Sequence, residues 1–367
     1  MTKKINLALQ GGGAHGAYTW GVLDCLLQEE RLEIEGVSGT SAGAMNAAML
    51  VNGYAKNGRE GARAALRELW TAVSEISAFG PLHQTPLEHW LDGWNLDWSP
   101  AYHYFDLLSR IASPYDLNPL NVNPLRFVLD NLMDFKSLQA HSKIKLFVAA
   151  THVASGQARV FKCHEITTDV LLASACLPFL FQAVEIEGEH YWDGGYMGNP
   201  AIWPLIYNCD SEDVVLVQIN PLHRDGVPKT ANEIINRLNE ISFNSSLIAE
   251  MRAIDFVGRL IHQGRLSKDD YKDMKIHLIY SPEEVKTLNA SSKMNASWDF
   301  FEYMHGAGFK AAKEWIKENF DAIGQRSTVN IRNKFLRGPH IAPDYCDLGH
   351  KKHQQQAEQQ QKSGKPE

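Results

Sequence analysis

Ser41 lies in Gly39-Thr40-Ser41-Ala42-Gly43, a G-x-S-x-G pentapeptide with a short apolar run, Ile34 to Val37, before it and a helical run, Ala44 to Leu50, after it. A serine on a sharp strand-to-helix turn has its hydroxyl thrust out of the chain. Gly39 and Gly43 leave room for the turn and for close approach of the helix to the strand. The helix N-terminus adds free N–H groups and a partial positive charge, both of which favour an alkoxide or oxyanion. This is the setting of a nucleophile. A bare G-x-S-x-G usually marks only a turn; the strand and helix around it are what support the sharper reading.

Upstream, Gly11-Gly12-Gly13-Ala14-His15-Gly16 follows the apolar strand Ile5 to Leu9 and opens a helical pattern through Tyr18, Val22, Leu23, Leu26 and Leu27. Two chemistries fit this loop. Gly11, Gly13 and Gly16 spell G-x-G-x-x-G, and Glu33 and Glu35 lie about 20 residues further on, where a dinucleotide fold has its ribose-binding carboxylate. Alternatively, the backbone N–H groups of the loop face a developing oxyanion in acyl transfer. The second strand runs straight into an elbow serine, which a nucleotide site does not require, and this favours acyl transfer.

Further along, Tyr191-Trp192-Asp193-Gly194-Gly195 sets an Asp at the end of a short aromatic strand. Alone it reads as an Asp-Gly turn. With GGGAHG, GTSAG and DGG in this order, the chain resembles the patatin-like phospholipase family. The resemblance covers about residues 5–220 and includes Thr151 to Phe161 and the run Leu172 to Phe179. It implies a lipid acyl hydrolase, of phospholipase A or lysophospholipase type, with a Ser-Asp dyad and neither cofactor nor metal. By resemblance, Ser41 is the nucleophile and Asp193 the general base. Gly11, Gly12, Gly13, Ala14, His15 and Gly16 form the oxyanion-hole loop, Gly39, Thr40, Ala42 and Gly43 the elbow, and Gly194 and Gly195 the loop beside the base. A carboxylate is a weak base towards a hydroxyl, so burial must raise its pKa. His15 stands where the family usually carries Arg or Lys.

Competing readings remain at this level. A storage polyester or short acyl ester would use the same chemistry. His223, His262, His277 and His305 follow Asp193 in the order a Ser-Asp-His triad needs. A non-catalytic lipid-binding or regulatory protein is the alternative outside enzymes, and a dinucleotide-binding protein the weakest.

The composition frames these expectations. The 367 residues are 44% hydrophobic and 22% charged, as in globular enzymes, and can bury a large core. A net charge of −7 argues against nucleic acid and gives no bulk attraction to anionic lipid. Membrane contact, if transient, must then be apolar or locally basic. No apolar run is long enough to span a bilayer and no secretory segment precedes the first strand, so a cytoplasmic location is expected. Five scattered cysteines read as reduced thiols, and fifteen histidines show no metal-binding spacing.

Strands alternate with helices, which predicts a three-layer α/β/α fold around a mainly parallel sheet, with the serine and aspartate at carboxyl ends of strands. Strands are expected at Lys145–Ala150, Val160–Lys162, Ala183–Glu187, Val214–Asn220 and Lys275–Tyr280, and helices at 58–77, 124–135, 167–176 and 232–263. The catalytic core is expected over residues 1–222. Within it, 79–123 forms a Pro- and aromatic-rich insertion in which Trp90, Trp94 and Trp98 could line one helical face, as core packing, a lid or an interfacial patch. A mostly helical extension, 223–345, packs on the core. It includes a stripe from Ile235 to Ile254 read as packing surface, and a helix from Ser297 to Phe320 broken at Gly306-Ala307-Gly308. Residues 346–367 are a polar, low-complexity tail expected to be disordered.

Overall fold

The computed structural model describes residues 2–78, 84–224, 226–281, 284 and 288–337. Strand β1 (Lys3–Leu9) leads through the glycine loop into α1 (Gly16–Gln28), and β2 (Leu32–Gly39) leads through Thr40-Ser41 into α2 (Ala42–Ser77). Five shorter helices follow: α3 (Pro86–Asp92), α4 (Pro100–Ile111), α5 (Pro114–Leu117), α6 (Pro124–Leu132) and α7 (Phe135–His141). Then come β3 (Lys145–His152), β4 (Ala158–Lys162), α8 (Thr168–Ser174), the hairpin β5 (Val184–Ile186) and β6 (Glu189–Asp193), α9 (Trp203–Asn208) and β7 (Asp213–Val217). The chain continues with α10 (Ala231–His262), β8 (Lys275–Ile279) and α11 (Trp298–Asn319).

These strands form one eight-stranded sheet. Strands β3, β2, β1, β7 and β8 are parallel neighbours in that order, while β4, β5 and β6 pair antiparallel. Side chains alternate across it. Ile5, Leu7 and Leu9 of β1 and Val215 and Val217 of β7 join the core under α1, α2 and α11, whereas Ala8, Val214 and Leu216 face α9 and α10. This is the three-layer α/β/α arrangement, and β8 and α11 from the C-terminal part of the chain belong to its layers.

The register of β3 explains how the site is assembled. Residues Phe147 to Thr151 pair with β4, so that edge of β3 is taken. The opposite edge is shared: Lys145 to Val148 pair with β2, and Ala150 to His152 pair with β6. Because β2 runs parallel and β6 antiparallel to β3, their carboxyl ends meet head-on, Gly39 opposite Val148 and Asp193 opposite Ala150.

Several elements depart from the sequence reading. The helix expected at 58–77 does form: non-helical Asn57 and Gly58 separate it from the helix that follows the elbow, and the two together make up α2. The helix expected at 124–135 stops at Leu132, and a separate α7 begins at Phe135. Trp90, Trp94 and Trp98 do not share a helix. Helix α3 ends at Gly93, whose φ of 60° breaks it before Trp94 stacks on Phe300 and Tyr303, while Trp98 is exposed. Helix α11 is not broken at its glycines. A Cβ on Gly308 would lie 2.0 Å from the Tyr18 carbonyl oxygen, so that glycine lets α11 cross α1 closely instead of ending a helix. The α10 stripe is only half packing surface: Met251 and Ile254 are buried, but Ile235, Leu238 and Ile241 are exposed. The tail at 346–367 lies outside the described residues, as do residues 79–83 of the insertion.

Candidate active site

Ser41 closes β2 and begins the turn into α2 with φ 54° and ψ −126°, a conformation costly for a residue with a Cβ. The elbow holds it there. The Ser41 N–H donates to Ser174 Oγ at 3.0 Å, and Ser174 donates to the Ala149 carbonyl at 2.7 Å. Thr40 Oγ1 donates to the Gly198 carbonyl at 2.5 Å, which ties the elbow to the loop after Asp193. A Cβ on Gly43 would sit 2.3 Å from the Leu9 carbonyl oxygen, so only glycine lets α2 start so close to the end of β1.

Asp193 arrives from the other side at the end of β6 and is buried. Its N–H donates to the Cys176 carbonyl at 2.8 Å, and its carbonyl accepts from Thr151 Oγ1 at 2.8 Å. Its Oδ1 accepts the Gly195 N–H at 2.7 Å. Oδ2 makes no hydrogen bond of standard geometry among the described residues. The Ser41 hydroxyl is nonetheless near enough to count among the groups holding the carboxyl's pKa down, with the Gly195 N–H and the Lys293 charge. Burial is the largest influence and pushes the Asp193 pKa up to about 7.

The glycine loop lies against the elbow. A Cβ on Gly11 would be 2.6 Å from Ser41 Cβ, so the loop reaches the serine only because it lacks a side chain there. The Gly11 N–H is already taken, donating to Asn199 Oδ1 at 2.6 Å, and the Gly11 carbonyl accepts from Asn220 Nδ2 at 2.6 Å. Gln10 Oε1 accepts the backbone N–H groups of both Ile219 and Asn220 at 2.9 Å. Among the described residues, the N–H groups of Gly12 and Gly13 carry no hydrogen bond.

His15 is buried, edge-on to Phe300. Ser292 donates its hydroxyl to the Asn289 carbonyl at 2.6 Å, so the 2.8 Å contact between His15 Nε2 and Ser292 Oγ requires the imidazole to donate from Nε2. Burial, Lys293 and Arg224 hold the His15 pKa well below its ordinary value. The side chain is therefore neutral, unlike the Arg or Lys usual at that place.

The alternative readings lose their geometry here. Glu35 occupies a bulge in β2 and accepts the N–H groups of Asp210 and Ser211 at 2.7 and 2.8 Å, with Lys145 at 3.0 Å. It is a structural clamp, and Glu33 pairs with Lys4. Of the four candidate histidines named after Asp193, His262 bonds Asp273, His277 bonds Asp213 and His305 bonds Asp24. His223 lines a separate cavity of about 890 Å³ beside Arg237 and Glu240. Neither oxygen of Asp193 bonds any of them.

Sequence reasoning missed Asn199, Asn220, Ser174, Gln10 and Lys293. The type and spacing of these residues suggest nothing in the sequence, and each makes a contact at the site with a residue at least 133 positions away along the chain.

No curated protein matches this chain at a significant level. Among solved structures, it is similar to VipD from Legionella pneumophila, at 15% identity and a TM-score of 0.42 over 92% of this chain and 73% of that one. It is also similar to full-length ExoU, crystallised with SpcU from the type III secretion system of Pseudomonas aeruginosa, at 14% identity and a TM-score of 0.31 over 85% of this chain. It spans only about half, 53%, of that chain. The profile of one family matches residues 7–206, more than half of the sequence and all of the elements that carry Ser41, the glycine loop and Asp193, so the chain belongs to the patatin-like phospholipase family.

Proposed function

We propose that this protein hydrolyses carboxylic esters of lipids through an acyl-enzyme on Ser41, with Asp193 as general base. The observation that carries the reading is the head-on meeting of β2 and β6, which brings a strained elbow serine to a buried carboxylate with one open oxygen. Membership of a phospholipase family supports a lipid ester as substrate.

Ser41 Oγ attacks the ester carbonyl as its proton passes to Asp193 Oδ2. The oxyanion of the tetrahedral intermediate takes hydrogen bonds from the Gly12 and Gly13 N–H groups, aided by the α1 and α2 N-termini. Collapse breaks the C–O bond, and the leaving alcohol takes the proton from Asp193. Water then attacks the acyl-enzyme, giving its proton to Asp193, which returns it to Ser41 Oγ as the acid leaves. A carboxyl with a pKa near neutrality suits both halves, since it accepts and releases the proton at little cost.

The test is hydrolysis of p-nitrophenyl esters of graded length and of a mixed phospholipid panel, with a chelator present. Wild type should turn over, and Ser41→Ala and Asp193→Asn should each lose at least about 10³-fold. Turnover by Ser41→Ala would sink the mechanism.

A further inference from the structure

The short 3-10 turn Ala290–Met294 lies outside the family-matched residues, yet it backs the glycine loop. Ser292 Oγ accepts a hydrogen bond from His15 Nε2–H. The Lys293 carbonyl oxygen sits 2.5 Å from the place a Cβ on Gly13 would take, and Gly13 has φ +60°. Lys293 Nζ donates to Asn220 Oδ1 at 2.8 Å, and it is Asn220 Nδ2 that holds the Gly11 carbonyl at 2.6 Å. Lys293 therefore meets the loop twice: its carbonyl lies close against Gly13, and its ammonium reaches Gly11 through Asn220.

We propose that Lys293 is a positioning residue of the acyl-transfer site, resting on the Ser41–Asp193 reading above: it fixes the Gly11–Gly13 loop towards Ser41 and supplies, from the C-terminal part of the chain, a positive charge that the neutral His15 does not.

The charge also acts on the base. It favours the ionised form of Asp193 against the effect of burial. Burial holds the Lys293 pKa below its ordinary value and Arg224 of the loop before α10 adds to that, while Glu240 of α10 and Asp193 favour the ammonium; neutral His15 also faces it. Glu240 is shared between Arg224 at 2.9 Å and Arg237 at 3.0 Å, so it does not neutralise Lys293 alone. Asp193 faces, besides Lys293 and Ser41, Cys176 and Tyr196, whose pKa values are both pushed up to about 12 and which stay neutral. Among the described residues, Lys293 is the one cation acting on the Asp193 carboxyl.

Lys293→Gln keeps a donor for Asn220 and removes the charge, and Lys293→Arg keeps both. In the full chain, on a soluble p-nitrophenyl ester, Lys293→Gln should lower kcat by about tenfold or more with KM changed far less. It should also move the midpoint of the rising limb of the pH profile upward, by about half a unit or more, while Lys293→Arg restores the wild-type midpoint. An unmoved midpoint in Lys293→Gln would overturn the proposal, even if kcat fell, because a merely structural role does not alter the base. A readout without turnover separates this from failure of the hydrolase reading. The pH midpoint at which Asp193→Asn becomes more heat-stable than its parent should rise in the Lys293→Gln background. If it does not, the proposal fails whether or not the wild type hydrolyses any ester tested.

Discussion

Asp193 concentrates the physical tension of this protein into one side chain. Its carboxyl is buried with one oxygen satisfied and one open, and its pKa rises from 3.8 to about 7. The raised value means that folding favours the protonated form. This stabilising contribution is complete below the unfolded value of 3.8, and it is lost as pH rises through about 7. Catalysis needs the ionised form, so kcat/KM should rise with pH to a midpoint near 7, read from a pH–rate profile on a soluble ester. The same group should oppose stability where it works best. At pH 8, about one unit above the folded-state pKa, Asp193→Asn should be inactive yet more stable than wild type by a few kcal/mol, on the order of 1.4 per pKa unit. By thermal unfolding near pH 4 the two should coincide. A variant that is less stable at both pH values would mean the carboxylate is held by more than the Gly195 N–H.

At the scale of elements, the insertion between α2 and β3 stands out for what it leaves uncovered. On α4, Tyr104, Leu107 and Ile111 share one face at helical spacing, and the last two are 55% and 71% exposed. The Tyr115 hydroxyl accepts from the Ala183 N–H at 3.3 Å, and Gln182 donates to the Asn118 carbonyl at 2.8 Å, so α5 leans on the loop that carries exposed Phe179. That loop begins next to Cys176, whose carbonyl accepts from Asp193. Helix α4 and the loop after Cys176 thus each expose apolar side chains, the kind of surface that suits a lipid interface without help from net charge. Leu107→Glu combined with Ile111→Glu should cut hydrolysis of phospholipid vesicles by about tenfold while sparing a soluble p-nitrophenyl ester. Equal loss on both substrates would assign the face to packing.

For the whole molecule, the notable fact is how far the C-terminal part of the chain is woven into the layers. Strand β8 extends the sheet beyond β7, α10 covers one face, and α11 crosses α1 on the other. The crossing depends on two glycines: a Cβ on Gly21 would lie 1.9 Å from the His305 carbonyl oxygen, and one on Gly308 equally close to Tyr18. Trp20 stacks on His305 at 4.1 Å beside them. Gly308→Ala should destabilise the fold by about 1–3 kcal/mol or more, because helix backbones must part to admit the methyl. Denaturant unfolding checks this, and an unchanged midpoint would mean that α11 can slide on α1 without loss. No helix among the described residues is long and apolar enough to cross a membrane.

Local chemistry was legible in the sequence wherever one short segment contains its own reason. The elbow, the glycine loop and the Asp-Gly-Gly turn each announce themselves by glycines that only a close approach requires, and the parallel strands by apolar runs that only a doubly covered sheet can bury. Periodicity misled where it was short or interrupted. Trp90, Trp94 and Trp98 keep a four-residue spacing across a helix end at Gly93, and Gly306 and Gly308 look like a break although α11 continues through them. Tertiary structure alone decided which residues meet. The shared edge of β3 makes β2 and β6 face each other across 152 residues of sequence from Ser41 to Asp193, and no local pattern encodes that register. It likewise decided that Gly11 bonds Asn199 and Asn220, that His15 is neutral against Ser292, and that Lys293 stands behind the loop. The reason is physical: a motif fixes backbone shape through nearest neighbours, whereas burial, pKa and hydrogen-bond partners depend on atoms that only folding brings within a few ångströms.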